Sequence, residues 1–252
     1  MNHEKRIELA EKVLGRLKEK YQENFLVGGV YGSVARCDDD EYSDIDIIVI
    51  TEKEVDEDEG GFLFQDRPVN HVVKSFDEAE RTLSEVNFSW PWAVSQQVDF
   101  EVLMGEREVK KELRAKIEDI SEERCKETIR KQLPEIHAAF LKAKRNHKKE
   151  DHQNLVVVVH DCLNAIAGSL ALLNQEYFKR NYFHRARETL DYEKTPDDYQ
   201  ELFEKTTNFK EPEEMFKGLE ELFANFLKLL EKEGIETPQR NADNLRHSKE
   251  KY

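Results

Sequence analysis

The pattern of apolar and polar residues divides the chain into two halves of different character. In the first half, short apolar runs bounded by glycine or acidic turns predict strands at residues 25–31, 44–50, 62–64, 69–74 and 98–104. Apolar residues at helical spacing predict helices at residues 3–20 and 76–86. The first half therefore has the pattern of a small mixed sheet flanked by helices.

The second half is helix-periodic throughout. Charged and apolar residues alternate at helical spacing, which predicts helices at about residues 107–119, 122–147, 153–176, 198–206 and 213–233. The long apolar run Leu155–Leu173 contains His160 and Asp161, which favours a buried helix over a membrane span. We predict the α+β class, with an N-terminal domain of residues 1–121 and an all-α helical-bundle domain of residues 122–252.

Composition narrows the choice of partners and compartment. Lys and Arg number 39 against 54 Asp and Glu, a formal net charge of −15, which argues against a general nucleic-acid binder. The same excess of acid favours a cationic partner, or an anion that arrives with its own metal. The three cysteines form no CxxC pair and the first residues have no apolar signal core, so a cytoplasmic protein without a membrane segment is expected.

The most informative segment pairs a Gly-Ser step with two acids. Gly32-Ser33 is followed, after ten residues, by Asp44 and Asp46 on a hydrophobic strand. Acids two positions apart on a strand project from the same face. Two hard oxygen ligands together are what Mg²⁺ bound with a nucleotide phosphate requires, for an in-line displacement.

Three further features of this segment suit phosphate binding. Gly32 has no Cβ, so the backbone can approach a phosphate closely. Ser33 offers a hydroxyl and a backbone N–H, and Arg36 offers a fork of donors to phosphate oxygens. The sequence therefore predicts a site for a nucleoside triphosphate and a metal around these residues.

These residues resemble a known family. The runs Val30–Arg36 and Tyr42–Asp46 are similar to the signature of the DNA polymerase beta-like nucleotidyltransferase superfamily, most closely to kanamycin (aminoglycoside) nucleotidyltransferase and its relatives. The resemblance implies a nucleotidyltransferase domain followed by a helical acceptor-binding and dimerisation domain, acting as a homodimer. It implies Mg²⁺-dependent transfer of a nucleoside monophosphate, usually AMP from ATP, to a hydroxyl. Asp44 and Asp46 match the catalytic, metal-binding acids, and Gly32, Ser33 and Arg36 the triphosphate-binding segment.

The chain departs from the family pattern at a third acid. The superfamily usually takes this acid from a later strand, but the matching segment here, Val69–Val72, contains none. Asp99 and Glu101 have the expected hydrophobic neighbours and lie on the next predicted strand. The third metal-binding acid is therefore Asp99, Glu101 or absent.

The general base is a second departure. Kanamycin-type enzymes use a glutamate on the first long helix of the second domain, and that position falls here near Ala138–Ala139. Glu135, one helical turn before Ala139, is the preferred candidate over His137 because it lies on roughly the same helix face. By the same resemblance, a lysine of that helix binds phosphate, and Lys142 or Lys144 can fill this role, with Lys142 preferred.

The acidic charge bears on the acceptor. An acidic cleft attracts polycations, which favours a small, hydroxylated, cationic acceptor of the aminoglycoside type.

Two alternatives to a small-molecule transferase stay open. The spacing of Arg145 and His152 resembles the ribonuclease motif of HEPN-type toxins, whose antitoxins are often minimal nucleotidyltransferases. By this resemblance the chain would be a fused regulatory module that modifies a protein or cuts RNA. The missing acids also allow an inactive nucleotide-binding homologue.

Overall fold

The first half of the chain forms one five-stranded mixed sheet. The computed structural model describes residues 1–56, 59–180 and 183–236. The strands are β1 (Phe25–Tyr31), β2 (Ile45–Thr51), β3 (Glu59–Phe64), β4 (Arg67–Ser75) and β5 (Glu101–Gly105). Their order across the sheet is β3-β4-β2-β1-β5, in which β2 and β4 are parallel and all other neighbours antiparallel. The predicted mixed sheet is confirmed, and β2 is its middle strand.

Helices flank this sheet. They are α1 (His3–Tyr21), α2 (Gly32–Ala35), α3 (Phe76–Ser84), α4 (Trp90–Val98) and α5 (Arg107–Ala115). One face of the sheet packs on α1, where Leu14 is buried with Ile47 and Val49. Burial of this apolar face is the main stabilising contribution to the sheet.

Helix α4 is a feature that the sequence pattern did not predict. Pro91 occupies the second helical position, where its missing N–H leaves no helical hydrogen bond unmade. The indole N–H of Trp90 donates to the Leu83 carbonyl oxygen at 2.8 Å, which attaches the start of α4 to the end of α3. Because α4 extends to Val98, the last strand starts at Glu101, three residues later than expected.

The second half of the chain is helical, as predicted. Its helices are α6 (Glu122–Lys148), α7 (His152–Leu173), α8 (Phe183–Glu188), α9 (Tyr199–Thr206) and α10 (Pro212–Lys232). Within the described part of residues 122–236 there is no strand. Pro134 lies inside α6, and the helix continues on both sides of it.

Helix α7 supplies the core of the helical half. Every residue from Ile166 to Leu173 is buried. Among the described residues, α7 is the one helix long and apolar enough to cross a membrane, and 61% of its most apolar stretch is buried inside the protein. On α10, Phe223 stacks on Phe140 with ring centroids 4.2 Å apart, which ties α10 to α6.

The chain forms two compact units whose limits do not follow a single cut. The first unit comprises Met1–Cys125 with Gln175–Glu188, and the second comprises Lys126–Asn174 with the residues from Thr189 onward. The segment after α7 thus returns to the first unit, which the sequence pattern did not indicate. The domain limits 1–121 and 122–252 remain a prediction.

Candidate functional site

The sheet register places three polar side chains next to one another. Asp44 immediately precedes β2, and Asp46 is its second residue. Asp46 is directly opposite Tyr31 on β1 and Asn70 on β4. Register partners share a face of the sheet, and the Asn70 amide donates to Asp46 Oδ1 at 3.1 Å. The candidate site is therefore centred on Asp46 of the middle strand β2, between residues of the two neighbouring strands β1 and β4.

The electrostatics of this cluster favour a bound cation. Burial raises the pKa of Asp46, the hydrogen bond from Asn70 lowers it, and the charge of Asp44 raises it. Among the described residues, no lysine, arginine or histidine forms an ion pair with either acid. A cation between the two carboxylates would remove this electrostatic cost.

Tyr31 adds a neutral hydroxyl to the cluster. Burial, with the nearby charges of Asp46 and Asp44, raises the pKa of Tyr31 to about 12. Its hydroxyl stays protonated at neutral pH, and it is hydrogen-bonded to the side chain of Gln96 on α4. Helix α4 thus contributes to the site through a contact with β1.

The turn after β1 approaches Asp46 closely. Gly32 has a φ of +70°, and a Cβ at this position would lie 3.2 Å from Asp46 Oδ2. A side chain here is therefore both strained and crowded. Ser33 follows in α2, a single turn of helix, and its carbonyl oxygen accepts from the backbone N–H of Asp38 at 3.1 Å. The predicted Gly-Ser step is thus beside the predicted acids.

A pocket of about 220 Å³ adjoins this turn in the first unit. Three separate stretches of chain line it, and the lining residues are Tyr31, Gly32, Arg36, Trp92, Ser95, Gln96, Phe178, Lys179 and Arg180. The lining includes three cationic side chains and no acid. Sequence reasoning found Gly32 and Arg36 but missed the residues of α4 and of the returning segment. The adjacent pair Lys179-Arg180 was the available signal, but nothing in the sequence pattern joined it to the first half.

The acids present fit a metal that arrives with a nucleotide. The described residues contain no group of three or more His, Cys, Asp or Glu side chains able to hold a metal by themselves. Mg²⁺, however, is typically held by one or two carboxylates together with substrate phosphates. Asp44 and Asp46 are the residues that would hold it.

Neither candidate for the third acid joins this pair. Glu101 is opposite Val30 on β1, so it is on the sheet face away from Asp46. Asp99 accepts a hydrogen bond from the Tyr177 hydroxyl at 3.0 Å and forms an ion pair with Arg114 at 3.4 Å. The strand position beside Asp46 that an acid would occupy holds Asn70.

The candidate residues of α6 lie in the second unit and are exposed. Glu135 accepts a hydrogen bond from the Gln132 amide at 2.5 Å. Lys142 is exposed, and Lys144 pairs with Glu220 at 3.0 Å. Their catalytic and nucleotide-binding roles stay predictions.

The two residues of the toxin-like motif are exposed as well. Arg145 lies in the last turn of α6, and His152 is the first residue of α7. No hydrogen bond or ion pair joins their side chains. This arrangement gives no support beyond the spacing itself to a ribonuclease site.

Two family models match the chain. The nucleotidyltransferase domain model matches residues 10–150, which include the Gly-Ser step and both acids. The KNTase C-terminal domain model, that of kanamycin nucleotidyltransferase, matches residues 107–236. The chain belongs to the nucleotidyltransferase family. Each model spans more than half of the 252 residues, and together they confirm the resemblance to the kanamycin-type enzymes.

The nucleotidyltransferase assignment does not draw on comparisons with individual proteins. A solved structure described as a nucleotidyltransferase-like protein from Exiguobacterium sibiricum 255-15 is 13% identical, with a TM-score of 0.49. The match covers 88% of this chain and 77% of that chain. No curated protein matches. The assignment to the family therefore rests on the two family models.

Proposed function

We propose that this nucleotidyltransferase moves AMP from ATP, with Mg²⁺, to a hydroxyl of a small, cationic, aminoglycoside-like acceptor. The observation that carries the proposal is the juxtaposition of the acids Asp44 and Asp46 with Gly32 and a pocket lined by cations. Acids alone would repel a triphosphate. Acids that hold a metal, next to cations, attract it.

The reaction is an in-line displacement at the α-phosphorus. The acceptor oxygen forms a bond to the α-phosphorus, the bond from that phosphorus to the bridging oxygen breaks, and pyrophosphate leaves with the electron pair. Asp44 and Asp46 would hold Mg²⁺, which when bound would supply positive charge at the reacting phosphate. The Gly32-Ser33 backbone and Arg36 bind the phosphates and fix their orientation.

The proton of the acceptor hydroxyl passes to a general base, for which we propose Glu135. Glu135 is exposed, and its hydrogen bond comes from the neutral amide of Gln132, so its carboxylate is accessible to an acceptor hydroxyl. Lys142, exposed two turns further along α6, is proposed as a phosphate-binding residue. Both proposals rest on the position of α6 in the family pattern.

The proposed acceptor rests on the net charge of the protein, and the proposed homodimer rests on the family relationship. A net charge of −15 draws a polycation to the protein and repels nucleic acid, which supports an aminoglycoside-like acceptor. The relationship to kanamycin nucleotidyltransferase supports a homodimer, and light scattering of the purified protein tests it. The expected compartment is the cytoplasm.

One labelling experiment tests the proposed function. The protein is incubated with Mg²⁺ and α-labelled ATP together with a panel of aminoglycosides, total RNA or lysate proteins, and Asp46→Asn serves as the control. Label on an aminoglycoside, absent from the control, supports the proposal. Label on protein, or cleavage of RNA that depends on Arg145 and His152, supports the regulatory module instead. ATP binding without transfer to any acceptor identifies an inactive homologue.

A further inference from the structure

The residues that follow α7 line one side of the pocket of about 220 Å³, called here the basic pocket because its lining includes Arg36, Lys179 and Arg180. This return segment, Gln175–Arg180, belongs to the first unit. The backbone N–H of Phe178 donates to the Pro91 carbonyl oxygen at 2.8 Å, and the Tyr177 hydroxyl donates to Asp99 at 3.0 Å. Both aromatic side chains are less than 10% exposed. The segment is therefore anchored on both sides and presents its next two residues, both cations, in a defined place.

Contacts with Asp38 and with the backbone of Lys179 orient the two arginines of the pocket. Arg36 Nη1 donates to the backbone carbonyl oxygen of Lys179 at 2.9 Å. The Asp38 carboxylate lies 3.2 Å from Arg36 Nε and 3.6 Å from Arg180 Nη2. One acid thus holds two guanidinium groups beside each other. The Lys179 ammonium forms no ion pair with any described residue, so its charge is available to a ligand.

The pocket differs in charge from the rest of the protein. The chain has 15 more acidic than basic residues, but this lining holds three cations and no acid. At about 220 Å³ the pocket is smaller than the roughly 300–1,000 Å³ that hold a whole drug-sized ligand. It suits the phosphate part of a nucleotide better than the whole molecule.

We propose that Lys179 and Arg180, together with Arg36, bind the terminal phosphates of the nucleoside triphosphate and hold the pyrophosphate as it leaves. This assignment rests on the proposed function, which puts the triphosphate at Gly32 and Arg36. When the bond between the α-phosphorus and the bridging oxygen breaks, the electron pair stays on pyrophosphate. Fixed cations beside that group stabilise the growing charge without having to reorganise.

The proposal predicts which nucleotides the pocket distinguishes. ATP and pyrophosphate have the terminal phosphates that reach the three cations, and AMP does not. Charge-assisted hydrogen bonds from a lysine or arginine to phosphate are among the strong ones in proteins. The cations therefore favour ligands with a diphosphate or triphosphate group, and this preference weakens as salt rises.

Calorimetric titration of ATP, AMP and pyrophosphate with Mg²⁺ tests this. The variants are Lys179→Gln and Arg180→Gln, which remove the charge and keep a long polar side chain. Lys12→Gln, at an exposed position of α1, is the matched control. Each pocket variant should weaken ATP and pyrophosphate binding by about tenfold or more, with AMP and the control unchanged. An unfolding temperature equal to that of wild type shows that the variants are folded.

The outcomes separate this inference from the proposed function. If wild type transfers AMP and both variants bind ATP and pyrophosphate as wild type does, the phosphate assignment of Lys179 and Arg180 is wrong and the transfer stands. If the variants lose binding but no acceptor is ever labelled, the phosphate assignment stands and the transfer is wrong. Wild type that binds neither ATP nor pyrophosphate contradicts both.

Discussion

The start of β2 and the middle of α6 both contain acids that the family pattern marks for catalysis, yet the chain constrains them differently. Asp46 has neighbours on two strands, and the sheet register determines both of them. Glu135 has one partner, Gln132, three residues away on its own exposed helix face. A strand residue in mid-sheet acquires its neighbours through backbone pairing, whereas a residue on an exposed helix face acquires only local ones.

Asp46→Asn should have the largest effect on activity. The substitution removes a charged metal ligand at a site that already supplies only two carboxylates, so transfer should fall by about 10³-fold or more. The protein should nevertheless be at least as stable as wild type, because burial and Asp44 raise the pKa of Asp46 and make its charge costly. Turnover and thermal unfolding, measured on the same preparation, check both expectations.

The sign of the pH effect sharpens this prediction. A carboxyl group with a native pKa above its unfolded value binds more protons when folded. Its contribution to stability is present at low pH and is lost as pH rises through the native pKa. The stability gain of Asp46→Asn should therefore grow from acidic to neutral pH. Near-normal turnover of the variant would show that the active site lies elsewhere.

Glu135→Gln tests the α6 side of the comparison and should have the next largest effect. Loss of a general base typically costs about 10²-fold or more in turnover, with little change in nucleotide binding. Glu123→Gln, an exposed acid near the start of the same helix, is the control and should be neutral. If kcat and its pH profile are unchanged in Glu135→Gln, the base is another group.

The sequence predicts the features that depend on local contacts and misses those that depend on contacts between distant parts of the chain. The strand 25–31 and the pairing of Gly32 with the two acids were predicted because apolar alternation and glycine turns are local signals. The register that brings Asn70 to Asp46 is not local, since it depends on how β4 pairs with β2. The return segment was missed for the same reason, because its contacts are with residues more than 75 positions away.

Gly32→Ala tests whether the turn at Gly32-Ser33 needs a glycine, and its effect on transfer should be smaller than that of Glu135→Gln. An alanine at φ +70° costs about 1–2 kcal/mol of stability. Its Cβ would lie 3.2 Å from Asp46 Oδ2, so the turn or the acid must shift. A shift of a few tenths of an ångström at the turn or at Asp46 should lower transfer by up to about 10-fold.

A second glycine gives the control for that substitution. Gly15, inside α1, has open space where a Cβ would be added. Gly15→Ala should raise stability by about 0.5–1 kcal/mol through helix propensity and leave transfer unchanged. Equal stability of the two variants, measured by denaturant unfolding, would contradict the strained turn at Gly32.

Asn70→Asp should have the smallest effect and gives the closest test of the site. It replaces an amide that donates to Asp46 with a third carboxylate beside Asp46 and Asp44, so without metal the variant should lose about 1 kcal/mol of stability at neutral pH. The loss should fade as pH falls, because protonation removes the repulsion. Mg²⁺ should restore stability, and should shift the unfolding temperature by a few degrees more than in wild type.

The control for this last prediction separates charge from the lost hydrogen bond. Asn70→Ala removes the donor to Asp46 without adding a charge, so it should be less stable than wild type with or without Mg²⁺. Its loss should be larger at neutral than at acidic pH, because the hydrogen bond from Asn70 lowers the pKa of Asp46 and so favours the charged carboxylate. Thermal unfolding of both variants in chelator and in Mg²⁺ makes the distinction. A stabilisation by Mg²⁺ that exceeds that of wild type in Asn70→Asp alone means that β4 borders the metal site, so that the strand beside Asp46 limits the number of metal ligands. The same response in both variants, or in neither, means that Asn70 only orients Asp46.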